Sequence, residues 1–121
     1  MTIKEFLKYV ERVQLDTFVI NQAEQIYGKI DSELVKKIFS INLTDSFIES
    51  EDFLRVLTKD EILNATSDLH VDFKKKKIIP FFDIGDNDFI VYHMATNKWS
   101  YMNIVDGVCF SENDSLEKML R

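Results

Sequence analysis

The sequence predicts an α+β fold, with helices in the first half of the chain and an antiparallel sheet in the second. Helix-capping signals followed by apolar residues at helical spacing recur up to about residue 70. Beyond that point, short segments rich in aromatic and β-branched residues alternate with polar turns of about four residues, which suit hairpins and are too short for crossovers between parallel strands. We therefore expect a mainly antiparallel β-sheet, a meander over residues 78–110, with one face covered by the N-terminal helices and a C-terminal helix.

The first two helices are predicted from their caps. Thr2 and Glu5 form a capping box, in which each side chain bonds the backbone of the other residue. Asn21 and Glu24 repeat this signal for a second helix. Gly28 is expected to end that helix, because glycine enters the left-handed conformation at little cost.

Two further helices are predicted before the sheet. One is capped by Asp31 or Ser32, and the other starts at the capping box of Thr58 and Glu61 and runs to about residue 70. The segment between them, residues 43–57, is too apolar for a free linker, so we expect it to lie across the core. Its large apolar side chains are Phe47, Ile48, Phe53, Leu54 and Leu57.

Four strands and a final helix complete the predicted fold. The strands are expected at residues 78–84, 89–94, 99–105 and 108–110. Asn113 or Ser115 then caps a last helix, whose inward-facing residues are Leu116, Met119 and Leu120.

The composition favours a single globular domain spanning residues 1–121. Apolar residues make up 45% of the 121 residues and include ten Phe, which suits one core of ordinary size. No apolar run approaches the roughly 20 residues of a membrane helix, and the charged N-terminus is unlike a secretion signal. We therefore expect a cytoplasmic protein that does not bind membranes. Cys109, the single cysteine, is expected to be a small buried apolar residue.

Charge is distributed unevenly along the chain. Residues 44–72 carry a net charge of −6, residues 74–77 are four consecutive lysines, and the whole chain has a net charge of −6. A mostly acidic surface repels polyanions, so direct nucleic-acid binding is disfavoured and a basic protein partner is favoured. The lysine run is interpreted as a solvated edge beside a strand.

Two stretches of the chain are similar to the SMI1/KNR4 family, also called the SUKH superfamily. Residues 24–39 resemble its succession of helix, glycine, short turn and second helix. Residues 77–92 resemble its first hairpin, in which a strand opening with an apolar-proline step, here Ile79-Pro80, leads through a polar turn into a second strand. The resemblance covers nearly the whole chain from residue 3 and implies an antiparallel sheet with helices against it.

The resemblance also implies two functions. Many bacterial members look like immunity proteins, which bind and neutralise a toxin that is often a nuclease, and this is the function we favour. Fungal members act in cell-wall signalling, which makes a regulatory scaffold or adaptor the alternative. Both are non-enzymatic.

Eight residues are candidates for contact with a toxin partner. The acidic ones match the positive charge that a nuclease presents to its substrate, although they also suit a solvated loop. Trp99 is a candidate anchor, because large amphipathic rings concentrate binding energy, although it also suits the core. The candidates are Asp45, Glu49, Glu51, Asp52, Asp83, Asp86, Asp88 and Trp99.

A third hypothesis is a metal-dependent hydrolase built on Asp83, Asp86 and Asp88. Their spacing is partly similar to a calcium loop, but the glycine and the final glutamate of an EF-hand loop are missing. A polar β-turn is the preferred interpretation. We therefore predict no metal, no cofactor and no catalytic residue, and the sequence does not predict the oligomeric state.

Overall fold

The computed structural model describes residues 1–43 and 45–120, and it confirms the α+β fold. The helices of this part of the chain are α1 Ile3–Arg12, α2 Thr17–Tyr27, α3 Glu33–Phe39, α4 Lys59–Leu63, α5 Ala65–Leu69, α6 Phe73–Lys76 and α7 Leu116–Leu120. Its strands are β1 Arg55–Val56, β2 Ile78–Gly85, β3 Asp88–His93, β4 Lys98–Asn103 and β5 Cys109–Asn113. None of the described helices is long and apolar enough to cross a membrane.

Most of the predicted helix caps are confirmed. Both capping boxes form, one between Thr2 and Glu5 at the start of α1 and one between Thr58 and Glu61 at the start of α4. Ser32 caps α3 by accepting a hydrogen bond from a backbone N–H of the first turn. These side chains satisfy N–H groups that have no partner inside the helix, which explains where these helices begin.

The start of α2 was predicted wrongly. The helix is capped by Asp16, whose side chain accepts a hydrogen bond from the N–H of Val19 at 3.2 Å. Asn21 therefore lies within α2 and caps nothing. Gly28 ends the helix as predicted, with φ at 102°. The predicted helix from residue 58 to about 70 is broken at Asn64 into α4 and α5.

The five strands form one antiparallel sheet in the order β1-β2-β3-β4-β5. Both faces of the sheet are covered, because alternate residues of β3 point to opposite faces and Phe89, Ile90, Val91 and Tyr92 are all buried. The predicted helical cover is therefore present, and the second face, for which no cover was predicted, is covered as well. α1, α3 and α7 cover one face, and α4 lies against the other.

Aromatic rings connect the helices to the sheet. Phe6 of α1 meets Phe82 edge to face, with ring centroids 5.7 Å apart, and Phe39 of α3 meets Phe81 at 5.2 Å. Phe81 and Phe82 are neighbours in sequence, yet both reach this face because β2 is bulged after Pro80. All four rings are fully buried, so they form the centre of the core.

The segment between α3 and α4 only partly lies in the core. Ile48 and Leu54 are buried, as predicted, whereas Phe47 and Phe53 are 50% and 46% exposed. The segment folds back on itself like a hairpin, with Phe47 paired to Arg55 and the N–H of Ile48 donating to the carbonyl of Leu54 at 2.9 Å. Because side chains alternate along extended chains, burying Ile48 and Leu54 turns both phenylalanines outward.

Of two expectations about the surface, one needs correction. Cys109 is exposed, because β5 is an edge strand whose residues 109–112 all face solvent. The lysines at residues 74–77 are exposed and come directly before β2, as predicted. The first three belong to α6, which Asp72 caps, and Lys77 ends that helix in the left-handed conformation.

Candidate protein-binding groove

The hairpin-like segment holds a cluster of exposed carboxylates in fixed backbone positions. Asp45 accepts a hydrogen bond from the N–H of Phe47 at 3.0 Å, which stabilises the turn that enters the segment. The N–H of Glu49 donates to the carbonyl of Met1 at 2.7 Å, and Glu49 pairs with Thr2 as an isolated parallel bridge. The segment is thus tied to the start of α1.

A second acidic position lies at the turn between β2 and β3. Gly85, Asp86 and Asn87 all have positive φ, at 87°, 54° and 64°. Asp and Asn tolerate this conformation better than most residues, and glycine adopts it freely. The N–H of Ile104 donates to the carbonyl of Asn87 at 2.9 Å, so the turn is held in place and Asp86 is presented to solvent.

The two acidic loops and α7 enclose a groove of about 780 Å³. Tyr101 of β4 connects its floor to α7, because its hydroxyl donates to the carbonyl of Met119 at 3.2 Å. The apolar part of the lining consists of Ile3, Phe53, Leu54, Ile84, Ile90, Tyr101, Met119 and Leu120. The polar part adds Ser50, Glu51, Asp52, Gly85 and Asp86. We call this feature the acidic groove.

The acidic groove combines negative charge with apolar surface. Glu51, Asp52 and Asp86 contribute carboxylates, and no basic side chain of the described residues lines it. Across the described residues, these three carboxylates form no ion pair with a Lys, Arg or His side chain. Among the described residues, no ion pair therefore compensates their charge. The groove can accept a ligand that has both apolar and cationic groups.

Asp83 was predicted to belong to the same surface, but it lies on the other face of the sheet. Its carboxylate pairs with Arg55 at 3.5 Å and also accepts a hydrogen bond from the N–H of Gly85. Arg55 makes a two-point contact with Glu61, at 2.7 and 2.9 Å. The hydrogen bond to Arg55 lowers the pKa of Glu61, and the same bond raises the pKa of Arg55. The charge of Asp83 is thus compensated locally.

Asp88 and Trp99, two further candidates for contact with a partner, do not line the acidic groove. Asp88 accepts a hydrogen bond from the side-chain amide of Asn103 at 2.8 Å, so it links β3 to β4. Trp99 is 2% exposed and lies against the rings of Phe81 and Tyr92, at 5.6 and 5.1 Å. An anchor must reach a partner, so the hypothesis that Trp99 is an exposed anchor was wrong. Its ring belongs to the core.

The carboxylates of Asp83, Asp86 and Asp88 have separate surroundings and do not form a common site. Within residues 1–43 and 45–120, no group of three or more His, Cys, Asp or Glu side chains is arranged to hold a metal ion. His93 and Ser100 are 2.7 Å apart, the distance expected of a base and a nucleophile. Ser100 is 1% exposed, however, and burial lowers the pKa of His93, so this pair satisfies buried polar groups between two strands.

The groove unites three of the predicted acidic residues and adds a set that sequence reasoning missed. Glu51, Asp52 and Asp86 come together, while Asp45 and Glu49 lie on the same segment without lining the groove. The missed residues are Phe53, Ile84 and the apolar side of α7. Sequence periodicity marks such residues as core, and Met119 and Leu120 are indeed buried, whereas Phe53 is 46% exposed. No protein-family model, curated protein or solved structure matches this chain.

Proposed function

We propose that this protein is a non-enzymatic binding domain that neutralises a basic, nuclease-type toxin in the manner of a bacterial immunity protein. The observation that carries the proposal is the acidic groove, in which three carboxylates that form no ion pair with another described residue lie beside apolar surface. The resemblance to the SMI1/KNR4 family supports the same function. Asp45 and Glu49 extend the negative surface along the segment that forms one wall.

The physical reason is charge complementarity. A nuclease must present positive charge to the phosphates of its substrate, so its binding surface attracts an acidic protein and can be blocked by it. Opposite potentials raise the rate of encounter, and apolar contact within the groove then slows dissociation. The net charge of −6 adds to the long-range attraction.

Purification of binding partners tests the proposal. The tagged full chain is expressed in its native cell, and proteins that co-purify are assayed for cleavage of DNA and RNA. We expect a basic nuclease to co-purify with the wild-type chain, and we expect added chain to inhibit its activity at a stoichiometric ratio. The variant with Glu51→Gln, Asp52→Asn and Asp86→Asn is expected to bind at least about tenfold more weakly.

A matched variant controls for net charge. Glu11→Gln, Asp31→Asn and Asp68→Asn remove the same charge from exposed positions outside the acidic groove, so affinity is expected to stay within about twofold. Equal loss in both triple variants would show that only the total charge matters. A partner that binds tightly and has no toxic activity would instead favour the regulatory adaptor.

A further inference from the structure

We propose that the acidic groove binds an amphipathic basic segment of its partner, with Phe53 as the aromatic anchor beside the carboxylates. In this arrangement, apolar side chains of the segment occupy the floor, and arginine or lysine side chains reach Glu51, Asp52 and Asp86. This inference rests on the proposed function and specifies the chemistry of the element that docks.

Phe53 is an exposed phenylalanine that contacts a second exposed ring. It is 46% exposed and pairs edge to face with Phe47, which is 50% exposed, at a centroid distance of 5.4 Å. Because these two exposed rings are in contact, they form a continuous apolar patch, whereas single exposed apolar residues are common on protein surfaces. Phe53 lines the groove, and Phe47 supports its ring. Aromatic rings beside carboxylates suit cations, because a cation can interact with both.

The anchor is held by ordered backbone. The N–H of Val56 donates to the carbonyl of Ser46 at 2.8 Å, so the two arms of the segment are joined on both sides of the Phe47 and Arg55 pair. Phe53 also lies near Gly85 of the opposite wall, because a β-carbon added at Gly85 would come within 3.8 Å of the Phe53 side chain. A site that is ordered before binding loses little conformational entropy when a ligand docks.

Other occupants fit this groove poorly. Nucleic acids and anionic lipid head groups carry negative charge, which Glu51, Asp52 and Asp86 repel. A second copy of this chain docked through the same face would bring two sets of carboxylates together. A purely apolar ligand would bury these carboxylates without partners, at high cost. The combination of carboxylates and apolar surface in the groove therefore favours a segment that is both basic and apolar.

Synthetic peptides test the inference with defined ligands. The main probe is a labelled peptide of about 14 residues with leucine on one helical face and arginine on the other. One comparison peptide replaces leucine with serine, and another replaces arginine with glutamine. Fluorescence anisotropy with the full chain measures the dissociation constants. We expect the leucine-arginine peptide to bind at least about tenfold more tightly than either comparison peptide.

Two phenylalanine variants locate the binding surface. Phe53→Ala is expected to weaken binding of the leucine-arginine peptide about tenfold, whereas Phe18→Ala, at a 71% exposed position of α2, is expected to leave it unchanged. If circular dichroism shows that Phe53→Ala is unfolded, Phe53→Leu and Glu51→Lys serve instead, each with an expected loss of about threefold or more. Equal binding of the serine-arginine peptide, absence of binding, or equal effects at Phe53 and Phe18 would overturn the inference.

The inference and the proposed function can fail separately. A native nuclease that is inhibited by the wild-type chain, and equally by Phe53→Ala, would contradict the inference and leave the function intact. Peptide binding that depends on Phe53, in a chain that inhibits no toxin, would contradict the function and retain the binding chemistry.

Discussion

Replacing Arg55 with methionine is expected to lower the free energy of unfolding by about 1–1.5 kcal/mol. Arg55 makes two hydrogen bonds to Glu61, at 2.7 and 2.9 Å, and pairs with Asp83 at 3.5 Å. The side chains of Arg55, Glu61 and Asp83 are 20%, 38% and 25% exposed. Buried bonds to charged groups are worth about 1.5–3 kcal/mol and exposed ion pairs about 0.2–1 kcal/mol, so solvent screening places this cluster between the two.

The matched control is Lys98→Met. Lys98 pairs with Glu112 at 3.7 Å and with Asp114 at 3.9 Å, and its side chain is 45% exposed. These contacts are longer and more exposed than those of Arg55, so we expect a loss below about 0.5 kcal/mol. Urea denaturation of both variants at neutral pH measures the difference. Equal losses would refute the idea that the Arg55 cluster couples β1, β2 and α4.

The same cluster predicts a pH dependence of stability. The pKa of Glu61 is lowered from its ordinary value of 4.5, mainly by its hydrogen bond to Arg55. A lowered pKa in the folded state stabilises the fold fully above pH 4.5, and the contribution is lost as the pH falls through the folded-state pKa. We therefore expect the free energy of unfolding to fall less steeply below pH 4.5 in Arg55→Met than in the wild type. Parallel curves would contradict this explanation.

Three further predictions concern the core and the surface. Phe39→Ala removes a fully buried ring and is expected to lower the free energy of unfolding, measured in urea, by about 3–5 kcal/mol. The control Phe18→Ala is expected to lower it by less than about 0.5 kcal/mol, and similar losses in both variants would contradict the described core. Tyr27→Phe removes a buried hydroxyl that donates to the carbonyl of Ile62 and is expected to cost about 1 kcal/mol, more than the exposed change Tyr9→Phe. Cys109 is expected to react with a thiol reagent in the native protein as fast as in urea, and protection in the native state would show that β5 is covered.

The sequence predicted the elements of the fold better than their layers. Both capping boxes and the polar turns between strands depend on contacts within a few residues, so they can be recognised locally. The cover on the second face of the sheet could not be recognised in this way, because it comes from α4. This helix is linked to β2 through Arg55, which bonds Glu61 and also pairs with Asp83, 28 residues further along the chain. The bulge after Pro80, which turns Phe81 and Phe82 to one face, has no simple sequence signature either.

The sequence predicted the negative charge of the candidate site but not the groove that the charged residues line. The acidity of residues 44–72 and of the turn at residues 85–88 is visible in the sequence, and Glu51, Asp52 and Asp86 do meet in one groove. Asp83 is adjacent in sequence but projects to the opposite face, where Arg55 compensates it. Phe53, which was expected in the core, is exposed, and Trp99, a candidate surface anchor, is buried. Aromatic character does not predict these outcomes, because burial depends on the neighbouring elements.

The most direct test of the central claim is hydrogen exchange of the free chain and of its complex with the purified native partner. If the acidic groove is the binding surface, backbone amides of residues 49–54, 84–87 and 116–120 are expected to become protected, while those of α2 exchange as in the free chain. Protection confined to α2 or to residues 74–77, with no change around the groove, would contradict the claim.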